Sequence, residues 1–567
     1  MAQPILIVGA GPVGLVLALS LLQNGVSVRI INKQLSHPVG HRGSGLQPRT
    51  LELYKLLGIL PDIQNQSGPF PPMKVYTSPE GPEPVKEFSM IEDLEATPEY
   101  PLVNVAMLSQ DRHEALIRDV LAKKYNTHVE LGTELRSFVQ NRHTGQVEAR
   151  IVKLVDGNEV EEAAIYDFLI GADGARSVVR KQLGLTFLGE SRTEASMIVG
   201  DLEVKGLPDR KYWRGWADGQ RIFVSLRPWE TDGDLYNLLI AGSEVDVTRL
   251  ASNIEEMIRM INATIGRELE FGDVLCSGIW TPNIRMVDRF GEGRVFVAGD
   301  AAHVHSPNGG QGMNSGVQDA INLGWKLSLV QKGLAPLGLL TSYNDERLSI
   351  IAVMLKKTTL LLDKTMSVNW KETEDTDMFG FKKGFEMRQL GVNYRGSPIV
   401  VDERYSGSRL EVVDPYKGGL DGRVRAGDRA PAAGGLVCVP AEETGEMTTT
   451  LFDVFTPSKH SMLVFAKEGR DDSEVEQVLG VVNTLFPEGT VQTIVLYPYC
   501  QNHNVAGTRA DWTLVDKEGY AFKHYHYSVY AEDRWKMVVV RPDAYIGAIV
   551  EGEEGLREYV KLVFGTR

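Results

Sequence analysis

Two glycine-rich loops carry the residue types that hold phosphates. The first lies in ILIVGAGPVGLVLALSLLQNGVSVRIIN, where Gly9, Gly11 and Gly14 have the spacing G-x-G-x-x-G. In that spacing the first glycine permits a tight turn and the second lets backbone approach a pyrophosphate. The third lets a helix pack closely on a strand. The second loop lies in GDAAHVHSPNGGQGMNSGVQDAINLGWKL, residues 299–327. It has the look of a phosphate site at a helix N-terminus, yet it lacks the lysine–serine pair of a nucleoside triphosphate loop. A chain that already has one nucleotide-type loop needs a reason for a second.

The elements that must position these residues can be read around them. Ile5–Val8 is a short, fully apolar run, as a buried parallel strand requires. A helix is expected over 15–22, ended by Gly25, and a second strand over Val28–Ile31. This βαβ context makes the glycine spacing specific. The second strand ends in Asn32, where an acidic residue usually meets a ribose hydroxyl. An amide can still hydrogen-bond there, without charge assistance. Arg42 lies nearby. A third motif, FLIGADGARSVVRKQLG, runs from a strand into Asp173–Gly174 and a short helix, with Ser177 and Arg180 one turn apart. It reads either as a capped helix or as a cofactor loop in which Arg176 and Arg180 meet a phosphate. In RVFVAGDAAH, Asp300 stands at a strand end, where a carboxylate can meet a ribityl or ribose hydroxyl.

With these motifs in this order, the chain resembles the class A FAD-dependent aromatic hydroxylases, which share the p-hydroxybenzoate hydroxylase fold. The likeness extends through HRGSGLQPRTLELYKLLGI, LSQDRHEAL and NLGWKLSLV…SYNDERL, and is nearest to the phenol hydroxylase-like subgroup. It implies an α/β fold: a Rossmann-like FAD-binding domain, a mixed-sheet substrate domain and a C-terminal thioredoxin-like domain. The expected boundaries are 1–78, 106–187 and 285–363 for FAD binding, and 79–105 with 188–284 for substrate. A helical connecting segment at 364–425 and a last domain at 426–567 complete the chain. DWTLVDKEGYAFKHYH resembles the end of that last domain, but the chain has no C-x-x-C, so no disulfide exchange is expected.

The resemblance implies hydroxylation of a phenolic ring through an FAD C4a-hydroperoxide, using NADPH or NADH and O2. Gly9, Gly11 and Gly14 would hold the pyrophosphate, with Asn32, Arg42, Gln110, Asp173 and Asp300 along the nucleotide and ribityl chain. Gly312, Met313 and Asn314 would offer backbone N–H groups to the anionic edge of the reduced ring. Pro307 would line its reacting face. Tyr236 and Arg214 are the other catalytic candidates, and Ser44, Arg227 and Trp213 are the substrate candidates. Ser44 stands where phenol hydroxylases carry an aspartate, which leaves the usual base unassigned. The arginines suggest an acidic ring substituent, and a decarboxylative attack would then be open. No second complete dinucleotide motif is present, so the nicotinamide donor would bind transiently, with Arg176, Arg180 and Arg285 as contacts. A flavin oxidase, a Baeyer–Villiger enzyme or a redox-silent FAD-fold interaction protein are the competing readings.

Composition limits the alternatives. A formal net charge of −15 disfavours nucleic acid or an anionic membrane as the main partner. Three cysteines, Cys276, Cys438 and Cys500, none close in sequence to another, suit a reducing compartment. No basic segment precedes the first strand, so no signal peptide is expected, and the expected location is the cytoplasm. His303 and His305 alone do not make a metal site, and none is expected. A homodimer is expected.

Overall fold

The computed structural model describes residues 3–81, 83–141, 143–219, 221–231, 233–306, 309–366, 385–405, 414–419, 422, 424–439, 447–466, 472–499, 508–527 and 537–566. Pro307 and Cys500 lie outside the described residues.

The apolar run Ile5–Val8 is the centre of a six-stranded sheet. Its order is Gly291–Glu292, Val295–Val297, Leu169–Gly171, Ile5–Val8, Val28–Ile31, Val129–Glu130, parallel except for the first pair. Chain direction reverses its winding beside Ile5–Val8. The loops after three of these strands, carrying Gly9, Asp173 and Asp300, therefore gather on one carboxyl edge, where ligands of such sheets bind.

Helix Pro12–Gln23 follows the first loop and helix Gly312–Gln331 follows the second. They pack closely because glycines stand at the contact. A Cβ on Gly316 would come within 2.5 Å of Val13, and one on Gly324 within 2.5 Å of the Ser20 hydroxyl. Val13 meets Gly316 and Ser20 meets Gly324, so the helices run the same way and their N-termini lie at the same end. Two positive helix ends thus face one region.

A seven-stranded sheet forms the second layer, in the order Glu270–Trp280, Met197–Lys205, Leu235–Ala241, Ile222–Pro228, Trp213–Asp218, Met73–Thr77, Lys86–Phe88. Met73–Thr77 falls in this sheet, although it was expected to close the first FAD-binding segment. Helix Ile254–Ile265 covers one face, where Ile198, Trp216, Leu226, Tyr236 and Leu238 are buried with Met257, Ile261 and Ile265. The other face looks toward the FAD-binding layer.

An eight-stranded sheet closes the chain: Val401–Asp402, Ile546–Val550, Met537–Val540, His460–Phe465, Val491–Pro498, Trp512–Asp516, Leu436–Val439, Thr448–Thr449. Val401–Asp402 comes from the segment expected to connect. Helix Glu553–Phe564 buries Leu556, Tyr559, Val560 and Val563 against this sheet, and Trp325 and Leu329 of helix Gly312–Gln331 join the same core. The last sheet is therefore packed on the helix that begins at the second glycine loop. Among the described residues no helix is long and apolar enough to cross a membrane.

Candidate active site

The three glycines of the first loop divide by what a side chain would meet. A Cβ on Gly9, at φ 104°, would lie 2.3 Å from the Ala172 carbonyl oxygen, and one on Gly14 would lie 2.1 Å from the Gly9 carbonyl oxygen. Both glycines are packing requirements. A Cβ on Gly11 would meet nothing within 4 Å. No described protein atom fills that space, which leaves room for a ligand beside the loop. The first turn of helix Pro12–Gln23 carries no acidic residue and no side-chain cap, leaving its N–H groups and dipole for an anion.

The other nucleotide-side candidates surround that space unevenly. Asp173 accepts from the Val178 N–H at 2.7 Å, while its Oδ1 is buried without a partner among the described residues. Its carboxyl is pushed up by burial, opposed by the Ser177, Val178 and Val179 hydrogen bonds. One oxygen thus caps the helix and the other is left for a donor. Asp300 is exposed to solvent at the end of strand Val295–Val297. The surrounding protein raises its carboxyl, against the influence of His303. Asn32 is half-buried, and its side-chain oxygen accepts from the Gln34 N–H at 3.3 Å. Arg42 is exposed and held at φ 41°. Such left-handed conformations cost a non-glycine residue about 1–3 kcal/mol and cluster at ligand sites. Gln110 donates to Glu114 at 2.8 Å and accepts from the Gly43 N–H at 3.4 Å.

At the second loop, the Ser315 N–H is the first of its helix to find an intrahelical acceptor, the Gln311 carbonyl at 2.8 Å. The N–H groups of Gly312, Met313 and Asn314 precede it and are free of the helix. Gly309 and Gly310, at φ 85° and 59°, need the left-handed freedom of glycine, and Gly310 is exposed. The Asn314 side chain is spent differently. Its amide donates to the Gly45 and Gly310 carbonyls at 2.8 and 2.7 Å and accepts from the Gln47 N–H at 2.8 Å. Gln47, Gln311 and Gln389 brace the loop from behind, through bonds to Gly309, Met387 and Ser315. Sequence reasoning passed over Gln47 and Gln311 inside their own motifs, and Gln389 lies in a distant segment; their joint role emerges only where the three segments meet.

Asn314 ties Gly45 to the helix, so Ser44 lies beside the helix N-terminus. Across from Ser44 stands Arg227, whose NH2 donates to Ser44 Oγ at 3.3 Å, Asn237 Oδ1 at 3.3 Å and His41 Nδ1 at 3.0 Å. Desolvation lowers the Arg227 guanidinium to about 10, with Asp201 and Glu230 opposing. Trp213 lies under it at 5.0 Å. An apolar cluster of Met73, Val75, Phe88 and Met90, packed with Phe70, Trp213 and Phe223, continues that wall.

Tyr236 and Arg214 are corrected by strand parity. Successive side chains of a strand point to opposite faces. Trp213, Arg227, Asn237 and Asp201 share the face toward Ser44. Tyr236 and Arg214 sit one residue out of step and point to the helix-covered face. Tyr236 is buried in that core under Arg210, and Arg214 is buried and donates to the Pro208, Asp209 and Tyr212 carbonyls. Tyr236→Phe is accordingly expected to change kcat/KM by less than about threefold, where loss of an acid–base hydroxyl costs about a hundredfold or more. The nicotinamide candidates also separate. Arg180 is buried on the Ala301 and Ala175 carbonyls and the Phe187 ring, so it does not stand free for a phosphate. Arg285 is tied to Asn283 at 2.8 Å, whereas Arg176 is exposed. His303 bonds Asp319 at 2.7 Å, and His305 bonds the Ser306 carbonyl. Burial, then the nearby His303, holds His305 down at about 4.

Both glycine loops therefore sit on one carboxyl edge, each before a helix N-terminus able to receive an anionic part of a ligand, which is the layout of a dinucleotide-binding protein. Residues 2–358 match the family described as "FAD binding domain". Over 567 residues the chain is 30% identical to a flavin-dependent monooxygenase of Mycobacteroides abscessus, covering 99% of each. It is 27% identical over 512 residues to pentachlorophenol 4-monooxygenase of Sphingobium chlorophenolicum, covering 89% and 87%. The solved structure of the flavin-dependent monooxygenase PieE with FAD and substrate superposes with a TM-score of 0.75 at 22% identity, over 99% of this chain and 98% of that one. The chain belongs to this family, the FAD-dependent aromatic hydroxylases, and is an FAD-dependent monooxygenase.

Proposed function

We propose that the protein hydroxylates a phenolic ring that binds as an anion, with NADPH or NADH and O2 as co-substrates. The observation that carries this is Arg227: a half-buried cation with an apolar, aromatic wall beside it, bonded to the loop that the ring-side helix holds. FAD would lie with its pyrophosphate over Gly11 and its ring at Gly312, Met313 and Asn314. When bound, it supplies the activated oxygen. The protein's own tasks are to hold the aromatic ligand against that ring, favour its phenolate form through Arg227, and keep water out. Similarity to an enzyme named for pentachlorophenol supports a phenolic ligand. A carboxylated phenol that loses CO2 also fits the cation.

The C-terminal strands support a thioredoxin-like arrangement. Val491–Pro498 and His460–Phe465 are parallel, followed by antiparallel Met537–Val540 and Ile546–Val550.

The test is direct. The FAD-loaded enzyme is mixed with NADPH and a panel of chlorinated, alkylated and carboxylated phenols, and NADPH loss and product mass are followed. Phenol-stimulated oxidation with a product heavier by one oxygen is expected; loss of CO2 would mark the decarboxylative route. Arg227→Met should raise KM about tenfold to a hundredfold, the worth of a hydrogen bond to a charge. Turnover of non-aromatic ketones alone would defeat the reading.

A further inference from the structure

We propose that His41 is the positioning residue for the substrate-side cation: its Nδ1 holds the Arg227 guanidinium in the orientation that receives an anionic aromatic ligand, and Glu230 fixes the tautomer that can do so. The proposal rests on the phenolic reading above.

The protonation of His41 follows from its neighbours. Nδ1 lies 3.0 Å from Arg227 NH2 and Nε2 lies 3.2 Å from Glu230 Oε2. A guanidinium only donates, so Nδ1 must accept; a carboxylate only accepts, so Nε2 must carry the proton. The imidazole is therefore neutral and in one tautomer. It is also clamped. Its side chain is 1% exposed, its backbone N–H donates to Asp201 at 2.8 Å, and its ring packs on Trp229. Glu230 is itself held by the Ser109 N–H at 2.8 Å and by Arg112 at 3.2 Å.

The consequence lies in what this leaves on Arg227. Its three partners, His41, Ser44 and Asn237, are all neutral acceptors, and among the described residues no carboxylate pairs with it. Its Nε is buried without a partner among the described residues. An acid at position 44 would orient the guanidinium and also neutralise it. A neutral imidazole, a hydroxyl and an amide orient it and leave the charge for a ligand. Of the three acceptors His41 is the nearest and the most rigidly held.

The charged groups around His41 are Arg227, Glu230 and Asp201, with Arg112 behind Glu230. Burial and Arg227 push the imidazole below its ordinary value, against Glu230 and Asp201. It is neutral at neutral pH, and only acid protonates Nδ1. Two donors would then face each other, and Arg227 would be released.

The experiment uses the FAD-loaded full chain and the phenol that stimulates wild-type NADPH oxidation most. FAD content, kcat and KM are measured from about pH 5 to pH 8, the span where histidine titrates. His41→Phe is expected to raise KM about tenfold while kcat moves less than about twofold. His41→Gln, which can donate to Glu230 and accept from Arg227, should restore KM. The wild-type rise of KM toward acid pH should vanish in both variants. Equal KM values for the two variants, or an acid limb that persists in both, would overturn the positioning role. Should His41→Phe fail to retain FAD, the pH profile of His41→Gln decides alone. A wild-type enzyme that no phenol stimulates overturns the functional reading and this proposal with it.

Discussion

Gly11→Asp yields a folded, colourless protein. The substitution is expected to weaken FAD binding about 100-fold or more, equivalent to roughly 3 kcal/mol. The stability of the FAD-free protein should hold or rise. Two observations set these opposite signs. A Cβ at Gly11 meets nothing within 4 Å, and the residue has φ −76° and ψ −177°, a conformation open to any residue. Gly11 is also the N-cap of helix Pro12–Gln23, where aspartate is among the best caps and favours the dipole. The new carboxylate would occupy the pyrophosphate's place with the same charge sign. Gly9→Ala should behave in the reverse way. Its Cβ would strike the Ala172 carbonyl at 2.3 Å from a backbone at φ 104°, costing roughly 3 kcal/mol of stability. Flavin absorbance and thermal melts of FAD-free and FAD-loaded protein separate the two. A Gly11→Asp protein that stays yellow would show that the cradle holds something else.

Glu346→Leu is expected to cost roughly 3–5 kcal/mol, the penalty for leaving buried charges uncompensated. Glu346 is fully buried on helix Thr341–Met366, 2.7 Å from Lys326 of helix Gly312–Gln331 and 2.7 Å from Arg541, which follows strand Met537–Val540. Asn322 and Ser397 donate to it as well, and Arg541 also pairs with Asp543. Burial opposes its charge, but Arg541 and Lys326 hold its carboxyl well below the usual range. Burial brings Lys326 down to about 8, against the pull of Glu346. Removing the carboxylate leaves Lys326 without its ion pair and Arg541 with Asp543 alone. In denaturant melts the double variant Glu346→Leu with Arg541→Leu should be more stable than the sum of the single losses predicts. Additive losses would mean the network carries no coupling.

How far the sequence led depended on the range of the signal. Gly9, Gly11 and Gly14 are read within one βαβ unit, and the structure gives each glycine a separate reason. The placement of Asp173, Asp300 and the start of helix Gly312–Gln331 at element ends was legible, because each follows a short apolar strand or a glycine run. The substrate sheet was legible as a sheet but not in phase. RIFVSLR and LYNLLIA show alternation, yet nothing local says which half of it faces the ligand. The family resemblance points to Tyr236 and the pairing of an anion to Arg214, and parity turns both toward the helix-covered face. His41, Asp201 and Glu230 were missed for another reason. Each is an ordinary residue in its own segment, and they meet only when the loop before Ser44 lands on the sheet. Their one local trace is the placing of His41 beside Arg42 and Ser44.

The same parity has a consequence for substitution. One face of the seven-stranded sheet, with Trp216, Leu238 and Ile240, is committed to the core beneath helix Ile254–Ile265. The other carries Val199, Phe223, Ser225 and Leu239, in register across adjacent strands or one pair along. Side chains on that face can be exchanged without touching the core that keeps the sheet folded. Substitution there would change the shape of the candidate ligand wall while leaving the core beneath helix Ile254–Ile265 in place. The sheet thus keeps its folding core on one face and its candidate ligand contacts on the other.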